Sequence, residues 1–435
     1  DEEVSPVEPL PPLHDFQLEV YSEMRQMLRG ETDNTGLMSL PTGAGKTRVA
    51  VEAICDHLVE ELQVRTSKNI VLWIAQSEEL QMQAWECFRQ VWQVPPQRKD
   101  APPIRRGFPV RIVRLWGGRK YDEVEIGDEP TVLIAGIAQL DSWVESRPEF
   151  FENFPVRRLM CVVVDEAHKV VTKSQRDVLV ALRLRAKHQW RALQNAPPVV
   201  GLSATPWRPN EGESAQLKGY FQNRLIRPAL LRDRPIAELQ RREILAQVVA
   251  ESLDIDSTHP MNEKQQKRFE QFGELPADYV EELGMEHDRN ARILERLKRL
   301  RKTAKVLVFA CSIAHAEVLA VALNRALGNG SAAVVTGETP RAERAAIIER
   351  FKAEGDLRFL CNVNVLTTGF DAPRADTICI TRPTTSALLY EQMVGRGLRG
   401  PKNGGTRECL VIDVQDRGMP DGIQSYARVL KLWDG

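Results

Sequence analysis

The sequence predicts an α/β protein with two parallel sheets in tandem. Short apolar, β-branched runs alternate with segments of helical periodicity, which is the pattern of parallel strands joined by crossover helices. The alternation ends near residue 202 and starts again near residue 305. The chain has 435 residues, more than one ordinary core of about 100–200 residues holds, so two domains are expected.

Five strands are predicted in each half of the chain. They are residues 69–75, 110–116, 131–137, 159–164 and 199–202 in the first half, and 305–310, 332–336, 357–363, 377–381 and 408–414 in the second. We assign residues 13–215 to a first domain, 216–230 to a hinge and 231–435 to a second domain. The proline-rich residues 1–12 are expected to be a disordered lead-in.

Three local features refine this outline. The apolar segments 225–231 and 244–255 are expected to pack onto the edge of the second domain. Thr339 is expected to cap a helix, with Pro340 at its first position.

Composition limits the possible classes of protein. Hydrophobic residues make up 43% and charged residues 27% of the chain, which is typical of a folded globular protein. There is neither an apolar run of membrane-spanning length nor a secretory signal, so no membrane partner is expected. A net charge of −1 provides no general attraction to nucleic acid, and binding must come from local basic faces.

The seven cysteines are scattered singly and no CxxC pair occurs. This distribution predicts a reducing, cytoplasmic setting and no zinc site.

The clearest motif is a glycine-rich loop at residues 41–47, with the sequence PTGAGKT. It follows an apolar run and precedes a helical one, which is the context of a phosphate-binding loop. Backbone N–H groups of such a loop face the phosphates, the lysine neutralises the β and γ oxygens, and the hydroxyl at the next position holds magnesium. The predicted nucleotide-binding residues are Thr42, Gly43, Ala44, Gly45, Lys46 and Thr47. The alternative is a plain glycine turn before a helix, since Leu40 stands where the full motif has glycine.

A second motif follows the all-apolar run 159–164, where Asp165-Glu166-Ala167-His168 begins. Carboxylates at the carboxyl end of a parallel strand lie where such sheets build ligand sites. Asp165 is predicted to hold Mg²⁺, and Glu166 to orient and deprotonate an attacking water. A solvated acidic turn is the alternative for this tetrapeptide taken alone.

The loop, the DEAH tetrapeptide and the later Ser203-Ala204-Thr205 occur in an order that resembles superfamily two DEAH-box helicases. The resemblance implies two RecA-like (P-loop) domains with an ATP cleft between them. It also implies that Ser203 and Thr205 contact His168 and couple ATP hydrolysis to movement. Gln17, with Phe16 as an apolar wall, resembles the adenine-reading motif of that family.

Two motifs of the second half extend the resemblance. Residues 366–371 resemble motif V, and Gly369 and Asp371 are assigned to the nucleotide. Residues 392–399 resemble motif VI, where Gln392, Arg396 and Arg399 would face ATP across the cleft. The two arginines are three positions apart, so they are expected on one helical face as fingers for the γ-phosphate. A solvated basic helix is the alternative.

Loops beside the motifs are predicted to contact nucleic acid at the edges opposite the ATP motifs. Their residues are small, hydroxylic or amide-bearing, which suits phosphate oxygens and sequence-independent binding. They are Gln76, Gly117, Gly118, Gly136, Ser312, Thr336, Gly337, Thr367 and Thr368. The segment around each of these residues, taken alone, is typical of an ordinary turn.

The sequences of residues 73–80, 201–208 and 390–400 are similar to those of XPB- and RadD-type repair translocases and of type I and III restriction-enzyme motor subunits. This implies an ATP- and Mg²⁺-dependent helicase or translocase on single-stranded or duplex DNA, with protein partners in a larger complex. An ATP-switched clamp without unwinding activity and an RNA helicase remain the alternatives.

Overall fold

The computed structural model describes residues 10–93, 108–115, 126–169, 172–182, 185–186, 189–192, 196–206, 211–256, 259–363 and 374–434. The chain divides after Arg232 into two compact units. The helices and strands of the two units account for both sheets predicted from the sequence.

The first unit begins with a helix and continues as alternating strands and helices. Its helices are α1 (Asp15–Leu28), α2 (Lys46–Gln63), α3 (Glu78–Gln93), α4 (Ile137–Ser146), α5 (Pro148–Asn153), α6 (Lys173–Ala181) and α7 (Glu211–Tyr220). Its strands are β1 (Thr35–Ser39), β2 (Ile70–Ala75), β3 (Arg111–Leu115), β4 (Thr131–Gly136), β5 (Leu159–Asp165), β6 (Arg185–Ala186), β7 (Gln189–Ala192), β8 (Val199–Ser203) and β9 (Leu225–Ile226).

Seven of these strands form one sheet in the order β3-β4-β2-β5-β8-β1-β9, and every pairing in it is parallel. β6 and β7 form a separate antiparallel pair. Strands β1, β2, β4, β5 and β8 are buried along their whole length, as expected for a parallel sheet covered on both faces.

The second unit repeats the architecture. Its helices are α8 (Pro235–Arg241), α9 (Glu263–Phe272), α10 (Ala277–Gly284), α11 (His287–Lys298), α12 (Ile313–Leu327), α13 (Arg341–Lys352), α14 (Ala387–Gly395) and α15 (Tyr426–Asp434). Its strands are β10 (Gln247–Ile255), β11 (Val306–Phe309), β12 (Ala332–Val335), β13 (Phe359–Asn362), β14 (Thr377–Ile380) and β15 (Glu408–Asp416). They form a parallel sheet in the order β10-β15-β14-β11-β13-β12.

The α/β class with two parallel sheets is therefore confirmed. Each of the ten predicted strands is present, with ends that differ by at most two residues. Segment 244–255 lies at the edge of the second sheet, because β10 pairs with β15.

Two expectations about local structure were wrong. Segment 225–231 does not join the second sheet, since β9 pairs with β1 in the first. Residues 216–230, the predicted hinge, all belong to the first unit. Helix α13 begins at Arg341 and not at Pro340. The hydroxyl of Thr339 does not cap it, because this oxygen accepts a hydrogen bond from the N–H of Thr336 at 2.9 Å.

Within the described ranges, no helix is both long and apolar enough to cross a bilayer. Nor do those ranges contain a cluster of three or more His, Cys, Asp or Glu side chains able to hold a metal ion.

A buried ion pair fixes α11 to the second sheet. The guanidinium of Arg289, which is 0% exposed, donates to both carboxylate oxygens of Asp416, at 2.7 Å from Nε and 3.1 Å from Nη2. It also donates to the carbonyl of Thr381. Because Asp416 ends β15 and Thr381 follows β14, one side chain ties the helix to the carboxyl ends of two strands.

We predict that Arg289→Met destabilises the second unit by about 3–5 kcal/mol, because it leaves Asp416 buried without its counter-charge. Hydrogen–deuterium exchange of peptides from β11, β14 and β15 in increasing urea measures this loss. The control is Arg268→Met, which removes an ion pair to Asp278 whose side chains are 43% and 47% exposed and is worth about 0–1 kcal/mol. Equal effects of the two substitutions would contradict the assignment.

Candidate functional site

The loop between β1 and α2 has the backbone of a phosphate-binding turn. Gly43 and Gly45 have φ angles of +82° and +86°, a left-handed conformation that favours glycine. Gly45 directly precedes α2, and its carbonyl accepts a hydrogen bond from the N–H of Val49 at 3.0 Å. The helix therefore starts at the loop, where its N-terminal N–H groups and dipole favour an anion.

Side chains of the loop are arranged around this turn. The ammonium of Lys46 donates to the carbonyl of Leu40 at 3.0 Å, which holds it over the loop. Thr47 lies in the first turn of α2 and is partly exposed, as is Thr42, whereas Ala44 is buried.

Gln17 lies against the same loop. Its amide oxygen accepts a hydrogen bond from the N–H of His14 at 2.8 Å. A Cβ on Gly45 would be 2.6 Å from its Nε2. Phe16 is only 2% exposed and stacks on His14, with ring centroids 5.8 Å apart. Phe16 thus belongs to the core, and His14 is the ring nearer the surface.

The helix that contains Gln17 is bonded to the helix that follows the phosphate loop. The hydroxyl of Tyr21 donates to the buried carboxylate of Asp56 at 2.7 Å. Arg25 and Arg29 both bind the carboxylate of Glu60. These bonds hold α1 and α2 together, so Gln17 and the phosphate loop keep one geometry.

Asp165 ends β5 as a buried carboxylate. It is 4% exposed, and its Oδ1 accepts a hydrogen bond from the N–H of Glu166 at 3.0 Å. Among the described residues no hydrogen bond of normal geometry reaches its Oδ2, which is also buried. Burial, with a smaller contribution from the charge of Glu166, raises the pKa of Asp165 to about 7, against the opposing effect of Lys46.

This environment fits a bound cation. A buried carboxylate oxygen that lacks a donor is costly, and a hard divalent ion prefers carboxylate and hydroxyl oxygens as ligands. Asp165 and Thr47 supply one of each kind.

Glu166 and His168 are joined to the end of β8. The Nδ1 atom of His168, which is 0% exposed, lies 3.2 Å from Glu166 Oε2 and 3.2 Å from Ser203 Oγ. Nδ1 therefore forms a hydrogen bond with the Ser203 hydroxyl and also lies within ion-pair distance of the Glu166 carboxylate. Glu166 itself has φ of +51°, an uncommon conformation for a residue with a side chain.

Ser203 extends this connection. Its hydroxyl donates to the carbonyl of Thr205 at 2.8 Å and accepts from the N–H of Thr205 at 3.2 Å. Thr205 therefore contacts Ser203 through its backbone and not through its hydroxyl. The structure brings His168 and Ser203 into contact, and Thr205 is linked to His168 only by way of Ser203.

Gly201 allows the turn after β5 to lie close to β8. A Cβ at this position would lie 2.4 Å from the ring of Phe221 and 2.8 Å from the Cβ of Ala167. Only glycine lets the turn after β5 pack directly on β8.

Arg396 and Arg399 do not lie on one helical face. Helix α14 ends at Gly395, Arg396 is its C-terminal cap, and Arg399 forms an antiparallel bridge with Leu245. Just beyond this cap Gly397 packs on the sheet, where a Cβ would be 2.4 Å from Cys409 Sγ. The tight packing of Gly397 on the sheet explains why the helix cannot continue to Arg399. Gln392 lies within α14 and is partly exposed.

Those loops predicted to contact nucleic acid that the structure describes follow the carboxyl ends of strands. Gln76 follows β2, Gly136 ends β4, and Ser312 caps α12 after β11, accepting from the N–H of His315 at 3.2 Å. Because all strands of the main sheet of each unit are parallel, these loops lie at the same edge as the ATP motifs of that unit, and not at an opposite edge.

Thr336 and Gly337, after β12, differ from each other. Thr336 is 6% exposed and its hydroxyl accepts from the N–H of Glu338 at 3.2 Å, so this side chain serves its own loop. Gly337 is exposed, and nothing lies within 4 Å of a Cβ built on it. Gly117, Gly118, Thr367, Thr368, Gly369 and Asp371 lie outside the described residues.

Two supporting contacts have no counterpart in the sequence motifs. The side chain of Gln81, 3% exposed, fills the space left by Gly136, where a Cβ would be 2.6 Å from its Nε2. In the second unit the hydroxyl of Tyr390, on α14, donates to both oxygens of the Asp413 carboxylate, at 2.6 and 2.8 Å. Both join residues that are distant in sequence, so no local pattern indicates them.

Comparison with known proteins agrees with these observations. Residues 11–208 match the family described as type III restriction enzyme, res subunit, and residues 289–400 match the helicase conserved C-terminal domain.

Three curated relatives are similar over most of the chain. The putative ATP-dependent helicase IRC3 of Saccharomyces cerevisiae is 26% identical over 93% of the chain and 51% of its own length. The EcoKI type I restriction endonuclease subunit of Escherichia coli is 25% identical over 83% of the chain and 31% of its own. The XPB helicase/translocase subunit of Danio rerio is 24% identical over 87% and 42%. The chain thus spans about half the length of these relatives or less.

Solved structures show the same fold. A fragment of a putative HsdR subunit of a type I restriction enzyme from Vibrio vulnificus matches with a TM-score of 0.61 and 20% identity, over 96% of this chain and 67% of that one. The Hef helicase domain of Pyrococcus furiosus matches with a TM-score of 0.52 and 16% identity, over 94% and 96%.

The two tandem RecA-like units, with a phosphate loop and a buried acidic strand end in the first, are the architecture of the helicase domains that the chain resembles. The chain is similar to superfamily two helicases related to restriction and repair motors.

We predict that Gly45→Ala weakens ATP binding by about tenfold or more. An alanine in the left-handed region costs about 1–2 kcal/mol, and its methyl group would push Gln17 away from the loop. Titration with a fluorescent ATP analogue measures the affinity. Gly219→Ala, on α7, is the control, because nothing lies within 4 Å of the added Cβ; it should bind ATP as the unchanged protein does. Unchanged affinity of Gly45→Ala would contradict the assigned loop geometry.

Proposed function

We propose that the protein is an ATP-dependent DNA helicase or translocase of the DEAH-box type. The observation that supports it most directly is the series of side-chain contacts from Glu166 to His168 and from His168 to Ser203. These contacts link Glu166, the carboxylate proposed to act in hydrolysis, to Ser203 at the end of β8. In the sheet, β8 lies on one side of β5, and the predicted nucleic-acid loops after β2 and β4 lie on the other side.

In the proposed ATP site the chain binds and orients the nucleotide. The loop from Thr42 to Thr47 and the helix end hold the phosphates, Lys46 neutralises their β and γ oxygens, and Gln17 contacts the adenine. Asp165 and Thr47 would hold Mg²⁺, which, when bound, neutralises charge on the phosphate oxygens.

Glu166 is proposed to accept the proton of the attacking water. Its contact with His168 Nδ1 holds the carboxylate beside the ring, and the same nitrogen is hydrogen-bonded to Ser203. A shift of the γ-phosphate that displaces Glu166 would therefore alter the bond between His168 and Ser203. This is the proposed coupling of hydrolysis to movement, with Thr205 linked through its backbone.

From the second unit, Arg396 and Arg399 are proposed to stabilise the charge that develops on the γ-phosphate, with Gln392 beside them. Gly369 and Asp371 are proposed to contact the nucleotide. The bond of Tyr390 to Asp413 anchors α14, from which Arg396 projects.

The DNA preference rests on the relatives, which are named as a restriction endonuclease subunit and as a transcription and DNA repair factor subunit. Those names also favour protein partners in a larger complex and a role in repair or in a restriction or antiviral system. We propose that Gln76, Gly117, Gly118, Gly136, Ser312, Thr336, Gly337, Thr367 and Thr368 contact the phosphate backbone. The cytoplasmic setting stays a prediction, as one relative is named mitochondrial.

We predict that Glu166→Gln retains ATP binding and lowers turnover by about two to four powers of ten, because an amide cannot act as a general base. The amide oxygen can still accept from His168, so the loop should keep its structure. Steady-state phosphate release and analogue binding measure the two effects. The control is Asp177→Asn, a carboxylate on α6 that is 38% exposed and should leave turnover unchanged. Near-normal hydrolysis by Glu166→Gln would exclude the assigned base.

We predict that DNA stimulates ATP turnover regardless of base sequence, since the proposed contacts are to phosphates. ATPase rates measured in parallel with single-stranded DNA, duplex DNA and RNA of matched sequence test the substrate. Affinity for a single strand should fall by roughly 0.7 log units per log unit of salt for each phosphate neutralised. Tighter binding and stronger stimulation by RNA would replace the DNA proposal, and turnover unaffected by any nucleic acid would favour the clamp.

A further inference from the structure

A buried indole lies on the same face of the first sheet as Asp165. Trp73, on β2, is 0% exposed, and its Cα is paired with that of Val163 on β5. Paired residues of parallel strands point to the same face, and so do residues two positions apart on one strand. Trp73 and Asp165 are therefore diagonal neighbours on one face, with Cα atoms roughly 8 Å apart at ordinary strand spacings.

The indole ring is fixed by packing from α3. Phe88, on that helix, is 1% exposed and meets Trp73 edge to face, with ring centroids 5.6 Å apart and an interplanar angle of 88°. Aromatic pairs prefer this arrangement. Because an indole side chain has only two rotatable bonds, Phe88 and the sheet together set the direction of its N–H group.

The N–H of this indole and one carboxylate oxygen of Asp165 both lack an ordinary hydrogen bond. In the part of the chain that the structure describes, no acceptor of normal geometry reaches Trp73 Nε1 and no such donor reaches Asp165 Oδ2, and both atoms are buried. Burial raises the pKa of Asp165, and the Trp73 N–H is one of the groups that lower it. The donor is therefore close enough to act on the carboxylate, although the two do not form a bond of normal geometry.

An indole N–H suits a carboxylate that binds a cation. It only donates, so it cannot compete with the carboxylate as a ligand of the ion, whereas a carboxylate accepts at about four lone-pair sites and can serve a donor and an ion together. Oδ1 of Asp165 already accepts from the N–H of Glu166. A second donor, from a neighbouring strand, limits rotation of the carboxylate. Groups that orient metal ligands in this way contribute about 10–100-fold to metal affinity.

We infer that Trp73 is a positioning residue of the proposed magnesium site, and that its indole N–H orients the Asp165 carboxylate toward the ion that binds with the nucleotide. This role rests on the proposed function and on the assignment of Asp165 to Mg²⁺. Trp73 acts through Asp165 alone. Its effect is therefore confined to the Mg²⁺-dependent part of nucleotide binding, because the phosphate loop and Lys46 hold the phosphates without the ion.

The test is the anisotropy of a fluorescent ATP analogue, titrated with the protein at a series of buffered free Mg²⁺ concentrations and in EDTA. Trp73→Phe keeps an aromatic ring beside Phe88 but removes the N–H. It should raise the Mg²⁺ concentration at half-saturation by about tenfold, the lower end of the effect of losing an orienting group. The affinity in EDTA should be unchanged.

Two further variants keep the comparison independent of folding. Trp143→Phe, the same substitution at a buried position of α4, is the matched control and should leave both values unchanged. Phe88→Leu keeps the N–H but loosens the ring, so it should raise the Mg²⁺ concentration at half-saturation by a smaller factor than Trp73→Phe. Circular dichroism at the assay temperature checks that each variant is folded.

A double-substitution cycle separates positioning from a general loss of packing. Asp165→Asn should itself raise the Mg²⁺ concentration at half-saturation, and Trp73→Phe added to it should have no further effect. An equal rise in both backgrounds, or with Trp143→Phe, would attribute the effect to lost packing and overturn the role of Trp73. A rise with Asp165→Asn and none with Trp73→Phe or Phe88→Leu would overturn it as well. If Asp165→Asn changes nothing, the proposed magnesium site itself fails.

Discussion

All strands within each of the two large sheets run in the same direction, so the chain must leave every one of these strands at one common edge. In the first unit the phosphate loop follows β1, the acidic turn follows β5, and Ser203 ends β8, which lies between them. The order β5-β8-β1 therefore brings three segments that are distant in sequence to neighbouring positions. The chemistry of the site depends on this parallel arrangement, because each functional side chain is short and would not reach its partners from the other edge.

The site contains two features that lower the stability of a folded protein. Asp165 is a buried carboxylate with one oxygen that lacks a normal hydrogen bond in the described structure, and Glu166 has a left-handed backbone. Each such feature costs on the order of 1–3 kcal/mol. The surrounding strands are completely buried, and bonds such as that of Tyr21 to Asp56 fix the helices beside the site. A rigid sheet can hold a strained turn in one geometry, and a turn held in this way needs little reorganisation when a ligand arrives.

The strands could be predicted because an apolar, β-branched run is a local property of the sequence, and a fully buried parallel strand needs such a run. β1, β6, β7, β9 and β10 were not among the ten predicted strands. β9 has only two residues, and its pairing with β1 depends on the path of the chain. The spacing of Arg396 and Arg399 suggested one helical face, but Gly397 packs against Ile378 and Cys409 and ends the helix geometry. The glycine motifs and acidic residues of the ATP site were visible in sequence because their chemistry requires specific residue types. The partners that hold them, such as Gln81 beside Gly136, come from distant segments and have no local pattern.

Electrostatics separates the arginines that stabilise the fold from those available to a ligand. A net charge of −1 means that attraction to phosphate must come from a few local groups. Many arginines are bonded to carboxylates, as Arg289 is to Asp416 and Arg296 is to Glu251, and each such pair is nearly neutral at the distance of a phosphate. Attraction to a backbone that carries a negative charge at every nucleotide therefore depends on the local cations that such pairing leaves, and not on the total charge of the chain.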